Sequence, residues 1–351
     1  MYCKEMFDLL SKQYIVDIFV YIQYILSDSF IRYLIRKLLH YTDVKINEER
    51  ENYIVEKMKK SEKTTYEVEK ANEQHYEVPT DFFLHHLGLK LKYSSCEWNN
   101  DKIDSIHEAE KYTIQRYQTM MKLDELKSGD TILEIGNGWG SLCLTNAVSF
   151  PNLQFESFSN SKTQIEYIQS QIKCKNIKNL KIWKQDIDEF VKTTTDDQTT
   201  KKYKRIVSIE CIEHCRGYAL LFDKISKILS DDGSCFFQIL AHTKHTMIMN
   251  KNTWMGRNFF SGGTIPRVDL FSKFNQHLTV YDTQIINGKE YSKTLDTWLY
   301  RIYEDTNIST ILGSNHEYQK WRLFYLLCSE SFGFKKGNEY VVAYIFMNKN
   351  K

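Results

Sequence analysis

A chain of 351 residues has the length for a large core with appendages, and its 47 lysines and arginines against 45 aspartates and glutamates leave a formal net charge of +2. That balance supplies no sequence-wide basic field, so nucleic acid is excluded as the expected partner. The 8 cysteines form no CxxC pair and a chain this long needs no disulfide staples, so reduced thiols and a cytoplasmic location are expected.

No leader with a small-residue cleavage site is apparent at the start of the sequence. The stretch YIVDIFVYIQYIL, Tyr14 to Leu26, is apolar but carries Asp17 and Gln23, and it is short of the about 20 residues a bilayer-spanning helix needs. Two readings stay open for it: an amphipathic helix packed on the protein, and an interfacial helix in peripheral contact with a membrane. In the segment that follows, Ile31, Leu34, Ile35 and Leu38 recur at three and four, so residues 1–70 read as a helical N-terminal extension.

Between Ile132 and Phe237 the pattern changes to short apolar runs separated by helical stretches: TILEIG, LQFESFS, LKIWKQD, RIVSIE and SCFFQIL. Strands alternating with helices predict an α/β fold with a doubly wound, mostly parallel sheet. The polar stretch KTTTDDQTTKK, residues 192–202, cannot bury anything and is expected to be a solvated loop. Beyond Ala241 the chain is aromatic-rich, broken at TWMGRNFFSGGTIP, and ends in a strand, YVVAYIFMNK. The expected division is therefore an extension (1–70), a core (71–240), and a cap with terminal core strands (241–351).

Candidate site residues follow the strand ends. Gly136, Gly138 and Gly140 come directly after TILEI, and Leu142 to Val148 reads as the helix behind them. The spacing is GxGxG, not the GxGxxG of dinucleotide sites, and no GK[ST] follows, so a P-loop is excluded. Preceded by an acid, Glu134, such a turn suits a ligand with an amino-acid tail and no phosphates, the methionine moiety of S-adenosylmethionine. The next run ends in SNSKTQ, where Asn160 and Gln164 share a helical face and can address ribose hydroxyls; Glu156, about 20 residues past Gly136, competes for that role. Asp186 ends the following run, either as acceptor for an adenine amino group or as the N-cap in front of Ile187.

After RIVSI stand Glu210, Glu213 and His214. Two carboxyls and an imidazole there can position an amine, take its proton and stabilise positive charge; helix capping in a surface cluster is the alternative. Cys211 and Cys215 flank His214, but a fourth ligand is missing, and no metal is expected.

With these residues in hand, the chain resembles the coclaurine N-methyltransferase-like branch of the cyclopropane-fatty-acyl-phospholipid synthase family of S-adenosylmethionine-dependent methyltransferases. The likeness runs from about Ser27 to the C-terminus through KANEQHYEVPTDFF, LKYSSCEW, ILEIGNGWGSL, SNSKTQ, SIECIEH, WMGRNFFSGGTIP and INGKEYSKTLDTWL. It implies a class I methyltransferase core, Rossmann-like, with an N-terminal helical segment and a partly helical C-terminal cap over the active site. Carried over residue by residue, it implies Tyr93 and Ser94 in a cofactor lid and Gly136 and Gly138 at the methionine moiety. Asn160 and Gln164 match the ribose site, and Asp186 with Ile187 the adenine site. Glu210, Glu213 and His214 match the acid-base cluster that receives the acceptor. Two departures are Asn137, where the family usually has the cysteine of GCGWG, and Glu134, where aspartate is common.

The resemblance implies methyl transfer to the nitrogen of a small-molecule amine. Alkylation of unsaturated phospholipid chains remains the alternative, because Cys96, Glu213 and His242 match residue types that bind bicarbonate in the cyclopropane branch. Trp98, Trp254, Phe259, Phe260 and Trp298 could wall the acceptor pocket or belong to the core. The sequence leaves the oligomeric state, a homodimer included, open.

Overall fold

A computed structural model describes residues 26–41, 45–66, 78–99, 102–193, 201–249 and 253–350. Apart from Leu26, the apolar stretch Tyr14 to Leu26 lies outside the described residues, as does most of the polar stretch 192–202. No helix among the described residues is long and apolar enough to cross a membrane.

In chain order the elements are α1 (Asp28–Tyr41), α2 (Glu48–Lys59), α3 (Thr80–His86), α4 (Ile106–Met120), β1 (Thr131–Ile135), α5 (Ser141–Ser149), β2 (Gln154–Ser159), α6 (Lys162–Cys174), β3 (Leu180–Lys184) and α7 (Ile187–Lys192). They continue with β4 (Tyr203–Ile209), α8 (Tyr218–Ile228), β5 (Leu229–His242), β6 (Met247–Ile248), α9 (Trp254–Asn258), β7 (Thr264–Ile265), β8 (Leu278–Ile286), α10 (Gly288–Glu304), α11 (Ile308–Ile311), α12 (Asn315–Gly333) and β9 (Tyr340–Lys349).

Seven strands form one sheet in the order β3-β2-β1-β4-β5-β9-β8. The five strands from β3 to β5 are parallel, and β9 inserts antiparallel between β5 and β8. All five residues of β1 are buried, as a central strand covered on both faces requires. Side chains alternate between two apolar layers: Ile132, Val207 and Phe236 join one, while Leu133, Ile206 and Phe237 join the other. β8 was not anticipated from the sequence. It is an edge strand, LTVYDTQII, with most of its residues at least partly exposed, so no clean apolar alternation marks it.

The N-terminal helices are fastened to the core by different means. On α2, Ile54, Val55 and Met58 enter the layer that holds Tyr218 and Leu221 of α8. Helix α1 buries Ile31, Ile35 and Leu39 at i, i+4 and i+8. It is also held by charge: Arg32 donates to Asp296 of α10 at 2.6 Å and to Glu330 of α12 at 2.9 Å, and Arg36 donates to Glu330 at 2.5 and 2.8 Å. Burial alone would raise the Glu330 carboxyl, but its bonds to Arg36 and Arg32 outweigh that and hold it below the usual glutamate range. A depressed carboxyl stabilises the fold above its unfolded pKa, and that contribution is lost as pH falls through the folded one. Glu330→Gln is therefore expected to cost about 1–3 kcal/mol near neutral pH, read as a lower midpoint of urea unfolding. The difference from the parent should shrink as pH drops below about 4.3. An unchanged midpoint at neutral pH would mean that the apolar face of α1 docks the helix unaided.

Candidate active site

Strand order reverses between β1 and β4, and a cavity of about 900 Å³ opens across the carboxyl ends of the strands there. Gly136 extends the pairing of β1 by one bond, its N–H donating to Phe158 O at 3.0 Å, before the chain turns away from the sheet. Gly136 has φ +81° and Gly138 φ +48°, both in the left-handed region. A Cβ on Gly136 would collide with Cys211 Sγ, whereas one on Gly138 would meet nothing within 4 Å. The first glycine is thus required for space and backbone alike, and the second leaves bare backbone facing the cavity.

Around this turn the cavity gathers Tyr93 and Ser94 from the segment before α4, Asn160 and Gln164 from the β2–α6 junction, and Asp186 and Ile187 at the start of α7. Gln164 is oriented by Ser159, whose hydroxyl donates to its side-chain oxygen at 3.3 Å. Asp186 serves two ends at once. Its carboxylate caps α7 by accepting from Asp188 N at 2.7 Å, and the same side chain bonds Asn160 and lines the cavity. Burial raises its carboxyl above the usual aspartate range. Glu156 lies elsewhere: inside β2 it accepts from Lys201 at 2.9 Å and from the Tyr203 hydroxyl at 2.6 Å, and it does not line the cavity. Glu134, before the glycine turn, lines it and is pushed by burial to about 8.

The turn after β4 completes the floor. Glu210 has φ +46°, rare for a residue with a side chain and worth about 1–3 kcal/mol of strain. It is held there from both sides. Its N–H donates to Gln238 O at 2.8 Å, and its carboxylate accepts from Ser95 N at 3.0 Å and from Gln238 Nε2 at 2.6 Å. The Gln238 side-chain oxygen in turn accepts from the Tyr117 hydroxyl. Burial raises the Glu210 carboxyl; the Lys92 charge, the Ser95 and Gln238 bonds and the Tyr291 hydroxyl oppose the rise. A 3-10 turn over Ile212–His214 then presents Glu213 and His214 to the cavity. Glu213 accepts from Leu240 N at 2.6 Å through one oxygen. Burial, then the Glu210 charge, pushes its carboxyl well above the usual range. The His214 ring meets Phe260 edge-on, centroids 4.9 Å apart.

Of the five aromatic residues singled out in the sequence, Trp254, Phe259 and Phe260 wall the cavity; Trp254 and Phe259 are also buried in the core with Trp98 and Trp298, which do not reach the cavity. The wall also includes Leu34, Ile35 and Leu38 of α1 and Leu323, Phe324 and Leu327 of α12, so the N-terminal extension helps to form the site. Sequence reasoning passed over Tyr291, which lines the cavity at Glu210, and over the supporting Gln238 and Lys92. Tyr291 sits in the INGKEYSKTLDTWL motif, but nothing in its spacing marked it. Cys96 and His242 do not line the cavity. The Cys96 thiol faces Ser94 O, and His242 Nδ1 accepts from the N–H groups of Lys244 and His245, each at 3.1 Å.

Comparison with known proteins places the chain as a whole. The profile of the mycolic acid cyclopropane synthetase family matches residues 62–343. The (S)-coclaurine N-methyltransferase of Thalictrum flavum subsp. glaucum is 30% identical over 82% of this chain and 81% of its own. The methyltransferase UmaA of Mycobacterium tuberculosis, described as S-adenosylmethionine-dependent, is 27% identical over 75% of this chain and 91% of its own. Among solved structures, a coclaurine N-methyltransferase bound to N-methylheliamine and SAH superposes with a TM-score of 0.81 at 26% identity, covering 93% of this chain and 96% of that one. The cyclopropane synthase MmaA2 of Mycobacterium tuberculosis shares the fold, with a TM-score of 0.65 at 20% identity over 81% of this chain and 99% of that one. The chain belongs to the mycolic acid cyclopropane synthetase family and is an S-adenosylmethionine-dependent methyltransferase.

Proposed function

We propose that this enzyme methylates the nitrogen of a small-molecule amine, and that Glu210, Glu213 and His214 receive the acceptor. The observation that carries this reading is the carboxyl lining of the cavity. Glu134, Asp186, Glu210 and Glu213 line it, against a single guanidinium among the described residues, Arg50, which is itself paired with Glu51 at 2.8 Å. Burial raises all four carboxyls, and a bound cation would let them ionise, while the apolar walls suit the body of an organic amine.

The cofactor half fits an adenosine carrying an amino-acid tail. The Gly136–Gly138 turn leaves room against the backbone for the tail, Asn160 and Gln164 offer amides to the ribose, and Asp186 with Ile187 would hold the adenine. Bound there, S-adenosylmethionine supplies an electrophilic methyl group on a positively charged sulfur. The chain's own residues hold the amine in line, remove its proton and exclude water, with orientation the larger contribution. Glu213 and His214 stand where that proton can be taken. Glu210, already fixed by Ser95 and Gln238, provides negative charge to hold an ammonium. Amine is favoured over phospholipid because Cys96 and His242, engaged elsewhere, are not gathered with Glu213 at the cavity.

Incubating the purified enzyme with labelled cofactor should yield a product heavier by one methyl from a pool of secondary and tertiary amines and none from vesicles of unsaturated phospholipid; the reverse pattern would sink the amine reading. Glu213→Gln and His214→Ala are each expected to lower kcat by about 10²–10⁴. Their dissociation constants for S-adenosylhomocysteine should stay within a few-fold of the parent by calorimetry, whereas loss of that binding would move both residues into the cofactor site. Gly136→Ala should do the opposite. The strained backbone and the collision with Cys211 are expected to abolish detectable cofactor binding, and retained affinity would show that the cofactor lies elsewhere.

A further inference from the structure

Beneath the acceptor acid lies a lysine that the reaction does not touch. We infer that Lys92 is a positioning residue: its sealed ammonium fixes the Ser94–Ser95 segment and supplies the counter-charge that lets Glu210 act as a carboxylate. The inference rests on the assignment of Glu210 to the acceptor.

Lys92 is 1% exposed. Its Nζ donates to Ser94 Oγ at 2.7 Å and to Ser95 O at 2.5 Å and stands 5.3 Å from the centroid of the Tyr117 ring. Among the described residues no carboxylate bonds it directly. An ammonium taken out of water without a contact partner is unfavourable unless negative charge lies close by. Two acids supply that charge from different elements, Glu110 of α4 and Glu210 of the turn after β4. Glu110 commits its carboxylate to backbone, accepting from Lys90 N at 2.7 Å and from Lys92 N at 3.0 Å. Glu210 is reached through Ser95, whose carbonyl accepts from Lys92 and whose N–H donates to Glu210 Oε1.

Two consecutive residues thus link three functions. Ser94 faces the cavity beside the glycine turn, Ser95 grips the acceptor acid, and Lys92 holds both. The other titratable groups packed around Glu210 and Lys92 are Glu110 and Tyr117 from α4, Cys96, Tyr291 from α10, and Glu213. None of them carries positive charge; His214, next to Glu213 on the 3-10 turn, can, but it is not among the groups that act most on Glu210. Lys92 is the strongest of the influences that counter the burial of Glu210.

Lys92→Gln separates charge from anchoring, since an amide can still donate to Ser94 and Ser95. Removing the cation disfavours the Glu210 carboxylate, so the acid limb of the kcat–pH profile is expected to move to higher pH by about one unit. At neutral pH kcat should fall about tenfold, with S-adenosylhomocysteine affinity by calorimetry within a few-fold of the parent. Lys92→Arg, which keeps the charge, should leave the acid limb in place. In a Glu210→Gln background, Lys92→Gln should cost less than about threefold, because no carboxylate remains for the charge to serve. An unmoved acid limb in Lys92→Gln, or an equal loss in both backgrounds, would overturn the inference and leave Lys92 an anchor. Should Lys92→Gln fail to fold, Lys92→Met carries the same pH test, and failure of both neutral variants while Lys92→Arg folds with normal kinetics would likewise reduce Lys92 to a structural role. The acceptor assignment fails separately, by an undiminished kcat in Glu210→Gln alone.

Discussion

Carboxyl groups taken out of water lose their hydration and repel one another, and this site holds four of them around one cavity. Two of the four, Glu210 and Glu213, follow the same strand and raise each other's cost. The fold answers with donors drawn from distant parts of the chain. Ser95 comes from the segment before α4, Gln238 and Leu240 from β5, and Tyr291 from α10. Each element of the cap and sheet that meets this turn therefore has an electrostatic reason to be there. What the cavity is short of is positive charge, and a cationic ligand would let its carboxyls ionise.

The two turns that matter are mechanically joined. Gly136, after β1, lies so close to Cys211, after β4, that a single added carbon would not fit between them. The backbone is in the left-handed region on both sides of this contact, at Gly136 and at Glu210, and only the second carries a side chain. Glu210 is kept in its strained conformation by bonds to one glutamine, backbone to backbone and side chain to side chain. Gln238, fully buried, is itself fixed by Tyr117 of α4. The alignment of these two turns is thus set by the sheet register between β4 and β5 as much as by the loops.

Much of the core was legible in the sequence because its signals are local. Short apolar runs, the glycine spacing after β1 and the acids after β4 each sit within a few residues, and a strand's end dictates where they point. Asp186 and Glu189 form a capping box readable from their spacing, yet the same Asp186 faces the cavity, so the two readings offered for it were compatible. The rest depends on contacts between remote segments. Trp98, Trp254 and Trp298 are alike in chemistry and all buried, yet only Trp254 also lines the cavity, and the packing of α10 against the segment before α4 that encloses Trp98 joins remote parts of the chain. Lys92 looks like any surface lysine until Glu110 and Glu210 are brought around it. Glu156 was read by its distance along the chain from the glycines, whereas its place inside β2 decides where it goes.

The wall contributed by α1 shows how the two halves of the site differ physically. One side of the cavity stands on the central strands, where every side chain of β1 is buried and salt has little access. The other side leans on a helix whose apolar stripe, Ile31, Ile35 and Leu39, is narrow and whose docking is completed by ion pairs to Asp296 and Glu330. Arg36 is 60% exposed on its side chain and Arg32 20%, so solvent ions reach these pairs and screen them. Leu34 and Leu38 face the cavity from this same helix. A substitution there reshapes the cavity without disturbing a strand, a glycine or an acid of the two turns. On the proposed reading, the acceptor's selectivity is therefore set from α1 and the position of the reacting groups from the strand ends.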